Sequence, residues 1–444
     1  MIKKAVNLAI DSGHSLVVKR CQVCDCPDLK PVLFLGYMPP VNKMSIIGSL
    51  PEEQPSYPAL LLYCPDCQLV QLGLVVDAKI LFPAEYPYTS GTTRILRDNF
   101  AELYQDCRAI VKPGAEDLVV DIGSNDGTLL SNFASHHRVQ GITPEEIGKL
   151  AIERGIPTLI SYFNRAAVEK VIAEKGKAKV ITATNVFAHI ENIHEVIDCI
   201  LELLQPDGVF ISESHYLISL LETIQYDTIY HEHLRYYSLH SLKYLLDMRG
   251  LEVIHAKRIP THGGSIRVYA CRRGAYPPQD TVAKMLKTEE ALGIGERQLA
   301  EFKAKVVISK LQLYSLLSQI KASGRRIYGI GAPSRASTLI NYVGLDDGIL
   351  DCVLEVKDSH KLGKYMPGTL IPVLEESKLF QDQPEYVLLL SWHIAEELMP
   401  KIKEKGFKGD FIIPLPNPRI VKGNKEVNPV RPRPKARGFL GLTG

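Results

Sequence analysis

Residues 226–238 concentrate proton donors and acceptors in one short stretch, YDTIYHEHLRYYS, which contains hardly any aliphatic residue. Burying such a segment requires extensive pairing of its polar groups. His231 and His233 are two residues apart, so on an extended segment they lie on one face together with Arg235. Histidine suits general-base chemistry because its ordinary pKa of about 6.5 permits proton transfer near neutrality, and Glu232 could orient a neighbouring imidazole. The alternatives are half of a metal site or a polar surface turn.

A glycine-rich turn follows the apolar run 118–122, and positions 121–128 read DIGSNDGT. Gly123 and Gly127 allow positive φ and close approach of the backbone. The spacing D-x-G-x-x-x-G departs from the dinucleotide fingerprint G-x-G-x-x-G, and Asn125 and Asp126 place polarity where a dinucleotide fold has a small residue. The turn is similar to motif I of class I S-adenosylmethionine (SAM) methyltransferases. A plain turn with a helix cap is the alternative.

Two further features lie where β-rich runs end, the edge at which α/β enzymes bind ligands. After the run 139–142 an acidic residue is expected for the ribose hydroxyls, but Thr143 stands there and Glu145 follows in the next turn. His189 follows the run 180–182 and is a candidate for the same pocket. A structural role is the alternative for this histidine.

Four of the nine cysteines form two C-x-x-C pairs, Cys21 with Cys24 and Cys64 with Cys67. Each pair is a compact turn that directs two thiolates at one point, and two such turns complete a tetrahedral S₄ shell for zinc. Four protein ligands leave no open coordination position, so the metal would be structural rather than catalytic. This spacing fits a reducing cytoplasm better than disulfides. Two unrelated thiol turns are the alternative.

The overall composition excludes several classes of protein. The chain has 444 residues, 45% of them hydrophobic, and a formal net charge of +2. Its length predicts two or three domains, and its near-neutral charge gives no basis for binding nucleic acid. The sequence contains no run of about 18 apolar residues, so we expect no membrane span. The first 15 residues lack the apolar run of a secretory signal. We expect a cytoplasmic protein that works as a monomer or weak homo-oligomer.

The alternation of β-rich and helical stretches predicts an α/β fold in consecutive parts. We expect an N-terminal zinc-binding module (1–95), an α/β domain (96–282), a helical connector (283–322), a second α/β domain (323–421) and a basic, Pro-rich, disordered tail (422–444). Strands of the first domain are expected at 118–122, 139–142, 180–182, 209–212 and 265–272, the last at an edge or antiparallel. Strands of the second are expected at 326–331, 349–355, 386–391 and 411–414.

Together these motifs resemble the nucleotide-sugar C-methyltransferase family, which includes 3-C-methyltransferases acting on dTDP-3-amino-4-ketohexoses. The resemblance covers roughly residues 18–420. The matching segments are the paired cysteines, 121–128, 185–190, the signature D-x-I-Y-H-E-H-x-x-Y within 226–238, the G-G-S-x-R element at 263–267, and 329–333, 341–342 and 360–369. It implies a class I SAM methyltransferase (Rossmann-like) core, with SAM and structural Zn²⁺ as cofactors. The C-terminal Rossmann-like domain would help to hold a nucleotide-diphosphate keto sugar.

The resemblance also implies roles for individual residues. His233 would be the general base, with Tyr230, Glu232, His189 and Tyr88 around it. The implied cofactor-binding residues are Asp121, Gly123, Asn125, Asp126, Gly127, Glu145 and Asn185. The implied substrate-binding residues are Tyr86, His231, Arg267, Gly331, Ala332, Pro333, Arg335, Asn341, Lys361, Lys364 and Tyr365. The chain departs from the family pattern at Thr143, at Ser334-Arg335-Ala336, where Arg335 would supply the charge of an expected lysine, and at Glu355, where aspartate is usual.

The implied reaction is C-methylation of a nucleotide-linked 4-keto sugar, giving a branched-chain sugar for a glycan or natural product. The ketone acidifies the neighbouring C3–H, His233 would remove that proton, and nearby Tyr or His donors would stabilise the enolate oxygen. Alignment of the enolate carbon with the methyl of SAM would supply much of the acceleration.

Three alternatives stay open from the sequence. The methyl could go to oxygen or nitrogen of a related sugar. The turn at Gly329-x-Gly331 could serve an NAD(P)-dependent reductase. However, neither the acidic ribose ligand nor the third glycine stands at the spacing that a dinucleotide-binding motif requires. The zinc module could be a ribbon that binds protein or nucleic acid, although no basic aromatic stripe accompanies it.

Overall fold

The N-terminal module consists of short strands in two small sheets. The computed structural model describes residues 15–82, 91, 94–422 and 425–427. The elements of the module are β1 (Leu16–Val17), β2 (Lys30–Met38), β3 (Tyr57–Tyr63), β4 (Val70–Leu72), β5 (Leu74–Val75) and helix α1 (Ala78–Leu81). Strands β2, β3 and β4 are antiparallel neighbours, and β1 pairs with β5.

The middle domain is a seven-stranded sheet with helices between its strands. Its elements are α2 (Arg94–Ile110), β6 (Leu118–Ile122), α3 (Thr128–Ser131), β7 (Arg138–Thr143), α4 (Gly148–Glu153), β8 (Thr158–Ile160), α5 (Arg165–Lys175), β9 (Ala178–Thr184), α6 (Ile193–Leu203), β10 (Leu204–His215), α7 (Leu217–Glu222), β11 (Arg235–Tyr236), α8 (Leu239–Asp247), β12 (Leu251–Ile259) and β13 (Ser265–Arg272). The strand order is β12-β13-β10-β9-β6-β7-β8.

Strand direction in this sheet brings the candidate residues to one edge. Strands β6 to β10 are mutually parallel, so their carboxyl ends lie together, and β13 is antiparallel to both of its neighbours. The five predicted strands and the antiparallel direction of the last are confirmed. Strand β6 is buried along its whole length, as expected of an apolar run in a central strand. One antiparallel strand beside a parallel Rossmann-like core is the sheet of class I SAM methyltransferases.

The C-terminal part begins with two helices and continues as a second sheet. Its elements are α9 (Asp280–Leu292), α10 (Glu296–Ala322), β14 (Ile327–Ile330), α11 (Ser334–Val343), β15 (Cys352–Glu355), β16 (Val373–Glu375), α12 (Ser377–Asp382), β17 (Tyr386–Leu389), α13 (Ala395–Glu404), β18 (Asp410–Ile413), β19 (Arg419–Lys422) and β20 (Lys425–Val427). The strand order is β16-β15-β14-β17-β18-β19-β20, parallel from β16 to β18.

The helical connector and the C-terminal tail both differ from the sequence prediction. The helical connector is two helices, because Gly293 adopts a left-handed conformation (φ +63°) and ends α9. The predicted disorder of the tail is wrong at its start, since Lys422 lies in β19 and 425–427 form β20, which pairs with β19. Positions 428–444 lie outside the described residues.

The signature segment 226–238 is shared between the three parts. Strand β11 pairs antiparallel with β4, which places it at the edge of the N-terminal sheet. Helix α11 of the C-terminal domain packs against the turn Tyr226–Thr228. Within the described residues, no helix is long and apolar enough to span a membrane.

Candidate active site

The four paired cysteines converge at one point in the N-terminal module. The Sγ atoms of Cys21 and Cys67 lie 3.4 Å apart, as do those of Cys24 and Cys64, and all four sulfurs lie within 4.8 Å of one another. A hydrogen bond from the Cys67 thiol lowers the pKa of Cys21 to about 5. Four converging thiols fit a structural zinc ion. Because Cys64 and Cys67 lie between β3 and β4, the metal would fix the hairpin on which β11 docks.

The glycine turn after β6 has the close backbone approach that its sequence predicted. Gly123 and Gly127 have φ of +71° and +76°. A Cβ atom on Gly123 would lie 2.4 Å from Cγ2 of Val186, and one on Gly127 would lie 2.9 Å from Cβ of Ala151. Both positions therefore exclude side chains, and the turn leads directly into α3.

The two aspartates of this turn are used within the protein. Asp121 accepts a hydrogen bond from the Thr182 hydroxyl of β9 (2.6 Å), and burial raises its pKa to about 7. Asp126 accepts hydrogen bonds from the backbone N–H of Thr128 and from Arg154, each at 3.2 Å. Both carboxylates therefore help to fix the turn, and their assignment to the cofactor site stays a prediction, because a carboxylate can accept further hydrogen bonds.

Other residues around the turn are placed to meet a polar ligand. Glu145 lies just beyond the end of β7, and its Oε2 is 3.5 Å from Nδ2 of Asn125. Burial raises the pKa of Glu145, partly offset by hydrogen bonds from Asn125 and Thr143. Oδ1 of Asn185 and Oγ of Ser124 are buried without a hydrogen-bond partner in the described part of the chain. Unpaired polar atoms beside the turn suit a polar ligand, so the residues present fit SAM.

Aromatic and imidazole rings cluster around His233 at the carboxyl edge of the sheet. The ring centroid of His233 lies 4.1 Å from Tyr230, 4.8 Å from His215 and 4.9 Å from His189. His215 in turn stacks on His262 with centroids 5.7 Å apart. His233 and Tyr230 are buried, whereas the other three histidines keep partial access to solvent. The buried ring of His233 is thus flanked by imidazoles that are partly accessible.

The hydrogen bonding of His233 defines its tautomer. Nδ1 lies 2.8 Å from the carbonyl oxygen of Thr228, which can only accept, so Nδ1 carries the proton. Nε2 bears the lone pair and makes no hydrogen bond with a described residue. This backbone carbonyl holds the ring, whereas the Glu232 carboxylate accepts from Nδ2 of Asn42 at 2.7 Å, so a role of Glu232 beside the base stays a prediction.

Desolvation keeps these imidazoles neutral. Burial lowers the pKa of His233 well below its ordinary value, and the positive charge that His189 can carry acts in the same direction. Burial also lowers the pKa of His189 and of His262 to about 4. A neutral imidazole can accept a proton at Nε2 or donate one from its N–H, so the cluster offers both a base and hydrogen-bond donors.

Several residues assigned to the substrate lie elsewhere. His231 contacts the N-terminal module, with Nε2 3.3 Å from the carbonyl oxygen of Pro58. The assignment of Arg267 to the substrate is corrected, because the side chain is fully buried and donates to Glu213 (2.5 Å) and Asp106 (2.7 Å). Its position in β13, opposite Glu213 of β10, makes it part of a buried ion-pair network. Tyr86 and Tyr88 lie outside the described residues.

The assignment of Arg335 to the substrate is also corrected, because its charge is paired inside the protein. It bonds both carboxylate oxygens of Asp227, at 2.8 and 2.9 Å, and is buried. It therefore does not offer a free positive charge to a phosphate.

The remaining C-terminal candidates lie in two places. Gly331, Ala332 and Pro333 form the turn after β14, and Nζ of Lys361 donates to the Ala332 carbonyl at 2.5 Å. Asn341 donates to the Pro367 carbonyl at 3.0 Å. The second group meets the N-terminal module: Lys364 forms a β-bridge with Ile46, and the Tyr365 hydroxyl accepts from the Gly48 N–H at 3.1 Å.

Sequence reasoning missed His215 and His262. His215 ends β10, so the rule that selected His189, a histidine at the carboxyl end of a parallel strand, could have found it. His262 precedes Gly263-Gly264 and has φ of +55°, which no local pattern in the sequence predicts.

Comparisons with known proteins agree with this architecture. Residues 21–82 match a zinc-binding domain family, residues 93–256 a methyltransferase domain and residues 260–416 the C-methyltransferase C-terminal domain. The chain is 32% identical over 414 residues to C-methyltransferase NovU of Streptomyces niveus, which covers 91% of this chain and 97% of that protein.

Solved structures match part of the chain at low similarity. A SAM-dependent methyltransferase from Clostridium acetobutylicum is 11% identical, with a TM-score of 0.32, and covers 41% of this chain and 94% of that one. The magnesium protoporphyrin IX methyltransferase ChlM from Synechocystis with bound SAM is 15% identical, with a TM-score of 0.30, and covers 42% of this chain and 87% of that one.

The sheet, the turn after β6 and the cysteine cluster define a zinc-containing methyltransferase. The extent of the match to NovU and to the C-methyltransferase domain shows that the chain belongs to the SAM-dependent C-methyltransferase family. It is thus an enzyme that transfers a methyl group to carbon, with SAM as donor and a structural zinc site.

Proposed function

We propose that the enzyme methylates C3 of a nucleotide-linked 4-keto sugar and that His233 removes the C3 proton to form an enolate. The observation that carries this proposal is the tautomer of His233. Its Nδ1–H is held by the Thr228 carbonyl, and no described residue makes a hydrogen bond with the lone pair on Nε2. A carbon acceptor needs such a base, because an unactivated sugar carbon is not a nucleophile, whereas a carbon next to a ketone can be deprotonated.

The residues around His233 have complementary tasks in this proposal. Negative charge develops on the ketone oxygen as the proton leaves, and a preorganised donor stabilises it best in a site with little water. Tyr230 is suited to that role because burial raises the pKa of its hydroxyl well above the ordinary value, so it stays protonated. His189 and His215 are further neutral donors whose rings lie within 4.9 Å of His233.

The residues that would hold SAM are those of the glycine turn and its neighbours. Gly123 and Gly127 allow backbone approach, Asn185 offers an amide oxygen that no described residue pairs with, and Glu145 would bind the ribose hydroxyls. Bound SAM supplies an electrophilic methyl group on a sulfonium. The histidine cluster lies after β9 and β10, next to the strands that carry the turn, so base and donor share one edge of the sheet.

The C-terminal turn argues against the reductase alternative. The Ala332 N–H donates to Oε2 of Glu355 at 2.8 Å, and the Ala332 carbonyl accepts from Lys361. In a dinucleotide site the backbone N–H groups of this turn point at the pyrophosphate. Here the carboxylate at the end of β15 takes that N–H. We propose that this domain holds the nucleotide sugar near Lys361 instead.

The test is incubation with SAM and a panel of dTDP-, GDP-, CDP- and ADP-linked 4-keto sugars, read by mass spectrometry and NMR. The expected product gains one CH₂ in mass, with the new methyl on C3. The matched 4-hydroxy sugars are the control, because they lack the acidifying ketone. Equal methylation of the 4-hydroxy sugars, or a methyl on oxygen or nitrogen, would contradict the proposal.

A further inference from the structure

The C-terminal domain makes a buried polar junction with the turn that precedes His233. Arg335 of α11 donates to Asp227 from Nε (2.8 Å) and Nη2 (2.9 Å), a two-point contact. Nε1 of Trp392 donates to the same carboxylate at 2.7 Å, and the Arg335 guanidinium lies 5.0 Å from the Trp392 ring centroid. Asp227 is fully buried. Both donors belong to the C-terminal domain, whereas their acceptor belongs to the signature segment.

This junction is one peptide unit away from the group that orients His233. Asp227 and Thr228 are consecutive residues of a single tight turn, Tyr226–Thr228. The Thr228 carbonyl accepts from Nδ1 of His233 at 2.8 Å and from the Tyr236 hydroxyl at 3.2 Å. Anchoring the Asp227 side chain therefore fixes the orientation of the carbonyl that holds the imidazole.

The same arginine contacts a second segment bordering the histidine cluster. Its Nη1 donates to the His262 carbonyl at 3.3 Å, and its Nη2 reaches Oε1 of Gln225 at 3.1 Å. His262 stacks on His215, which lies beside His233. One guanidinium thus spans the two backbone segments on either side of the cluster.

We infer that Arg335 and Trp392 are positioning residues that hold His233 in place through Asp227 and the Thr228 carbonyl. This rests on the proposed function, in which His233 is the base. Docking of the C-terminal domain would then assemble the base as well as hold substrate. The planar fork of arginine matches a carboxylate at two points and lysine cannot reproduce it. A displacement of about 1 Å in a catalytic group can lower the rate ~100-fold.

The test compares Arg335→Lys and Trp392→Phe with the wild type in the full chain with its zinc. Lys321→Met is the matched control, because Lys321 pairs with Asp351 at the opposite, amino-terminal edge of the C-terminal sheet. We expect Arg335→Lys to lower kcat roughly 100-fold with the substrate KM and the SAM Kd unchanged. Trp392→Phe keeps an aromatic ring, loses the N–H with part of the indole, and leaves the two-point contact between Arg335 and Asp227, so a smaller loss of kcat is expected. Lys321→Met should match the wild type.

Two further readouts separate positioning from general destabilisation. Trp392 is the only tryptophan of the chain, so its fluorescence reports directly on the junction, and Arg335→Lys should shift its emission. In a double-mutant cycle with His233→Asn, Arg335→Lys should cause no further loss, because it acts only through the base.

The inference is overturned if Arg335→Lys raises KM at unchanged kcat, which would make it a substrate contact, or if it leaves the emission or kcat unchanged. Additive losses in the cycle would also overturn it. The proposed function fails separately, if His233→Asn alone turns over like the wild type.

Discussion

The Nδ1 atom of His233 lies 2.8 Å from the carbonyl oxygen of Thr228, and this pairing fixes which ring nitrogen can act as a base. A backbone carbonyl cannot donate, so the proton stays on Nδ1 and the lone pair on Nε2. In a Ser-His-Asp triad the histidine is paired with a carboxylate, whereas His233 is paired with a neutral carbonyl. Little negative charge is therefore available to stabilise a protonated His233. The base is consequently kept neutral, in agreement with the lowered pKa of His233.

Removing a zinc ligand should unfold more than the N-terminal module. Cys64→Ser is expected to abolish zinc binding, lower the free energy of unfolding by about 3 kcal/mol or more and abolish methyl transfer, because structural zinc contributes ~10 kcal/mol in zinc-finger peptides and β4 carries β11. Elemental analysis and thermal unfolding check this. Cys26→Ser is the control, since Cys26 is outside the four-sulfur group. Full activity in zinc-free Cys64→Ser protein would count against the role of the metal.

Glu145 should determine SAM affinity, in place of the acid expected at Thr143. Glu145→Gln is expected to raise the SAM Kd roughly 10-fold, because a hydrogen bond to a charged group contributes about 1.5–3 kcal/mol. Isothermal titration calorimetry measures this directly. Its neighbour Glu146 is exposed, and Glu146→Gln should leave the Kd unchanged. Identical affinities for both variants would remove Glu145 from the cofactor site.

Arg267 should matter for stability rather than for substrate binding. Arg267→Met leaves Glu213 buried without its cationic partner, and removing one partner of a buried pair destabilises proteins by about 3–5 kcal/mol. Urea denaturation should show this loss, while exposed Arg273→Met shows none. An increased substrate KM at unchanged stability would restore Arg267 as a substrate ligand.

Stability should fall as pH decreases below neutrality. The pKa of His262 is about 4 in the folded protein, below the value of about 6.5 expected when unfolded. Between these values the unfolded state binds the extra proton, so the free energy of unfolding falls with falling pH, by at most about 1.4 kcal/mol per pH unit for this group. Above pH ~7 His262 does not contribute to the pH dependence of the free energy of unfolding.

Comparison of variants isolates the contribution of His262 from that of other groups. Urea denaturation of His262→Gln from pH 7.5 to 4.5 should show a smaller slope than the wild type. The wild-type slope in His262→Gln would show that His262 does not titrate differently on folding.

The sequence predicted the features that depend on local pattern. The apolar run of β6, the left-handed glycines at 123 and 127 and the two C-x-x-C turns are each encoded within a few residues. Strands β8 and β12 were missed, because β8 has only three half-buried residues and β12 carries charges on its exposed face.

The errors at the site arise from long-range contacts. Arginine suits a substrate phosphate or a buried carboxylate equally well, and only the pairing of β10 with β13 places Arg267 beside Glu213. Arg335 similarly finds Asp227 across a domain boundary. The convergence of His215 and His262 on His233 brings together three separate segments of the chain. Residue spacing within the sequence does not predict such a contact.

The central claim is that His233 creates a carbanion next to a ketone, and hydrogen exchange tests it most directly. The enzyme is incubated in D₂O with a nucleotide-linked 4-keto sugar and S-adenosylhomocysteine, so that no methyl can be transferred, and deuterium at C3 is followed by NMR. Wild-type protein should catalyse incorporation, and His233→Asn, with SAM affinity intact, should be slower by at least ~100-fold. Exchange at the wild-type rate in His233→Asn would contradict the account.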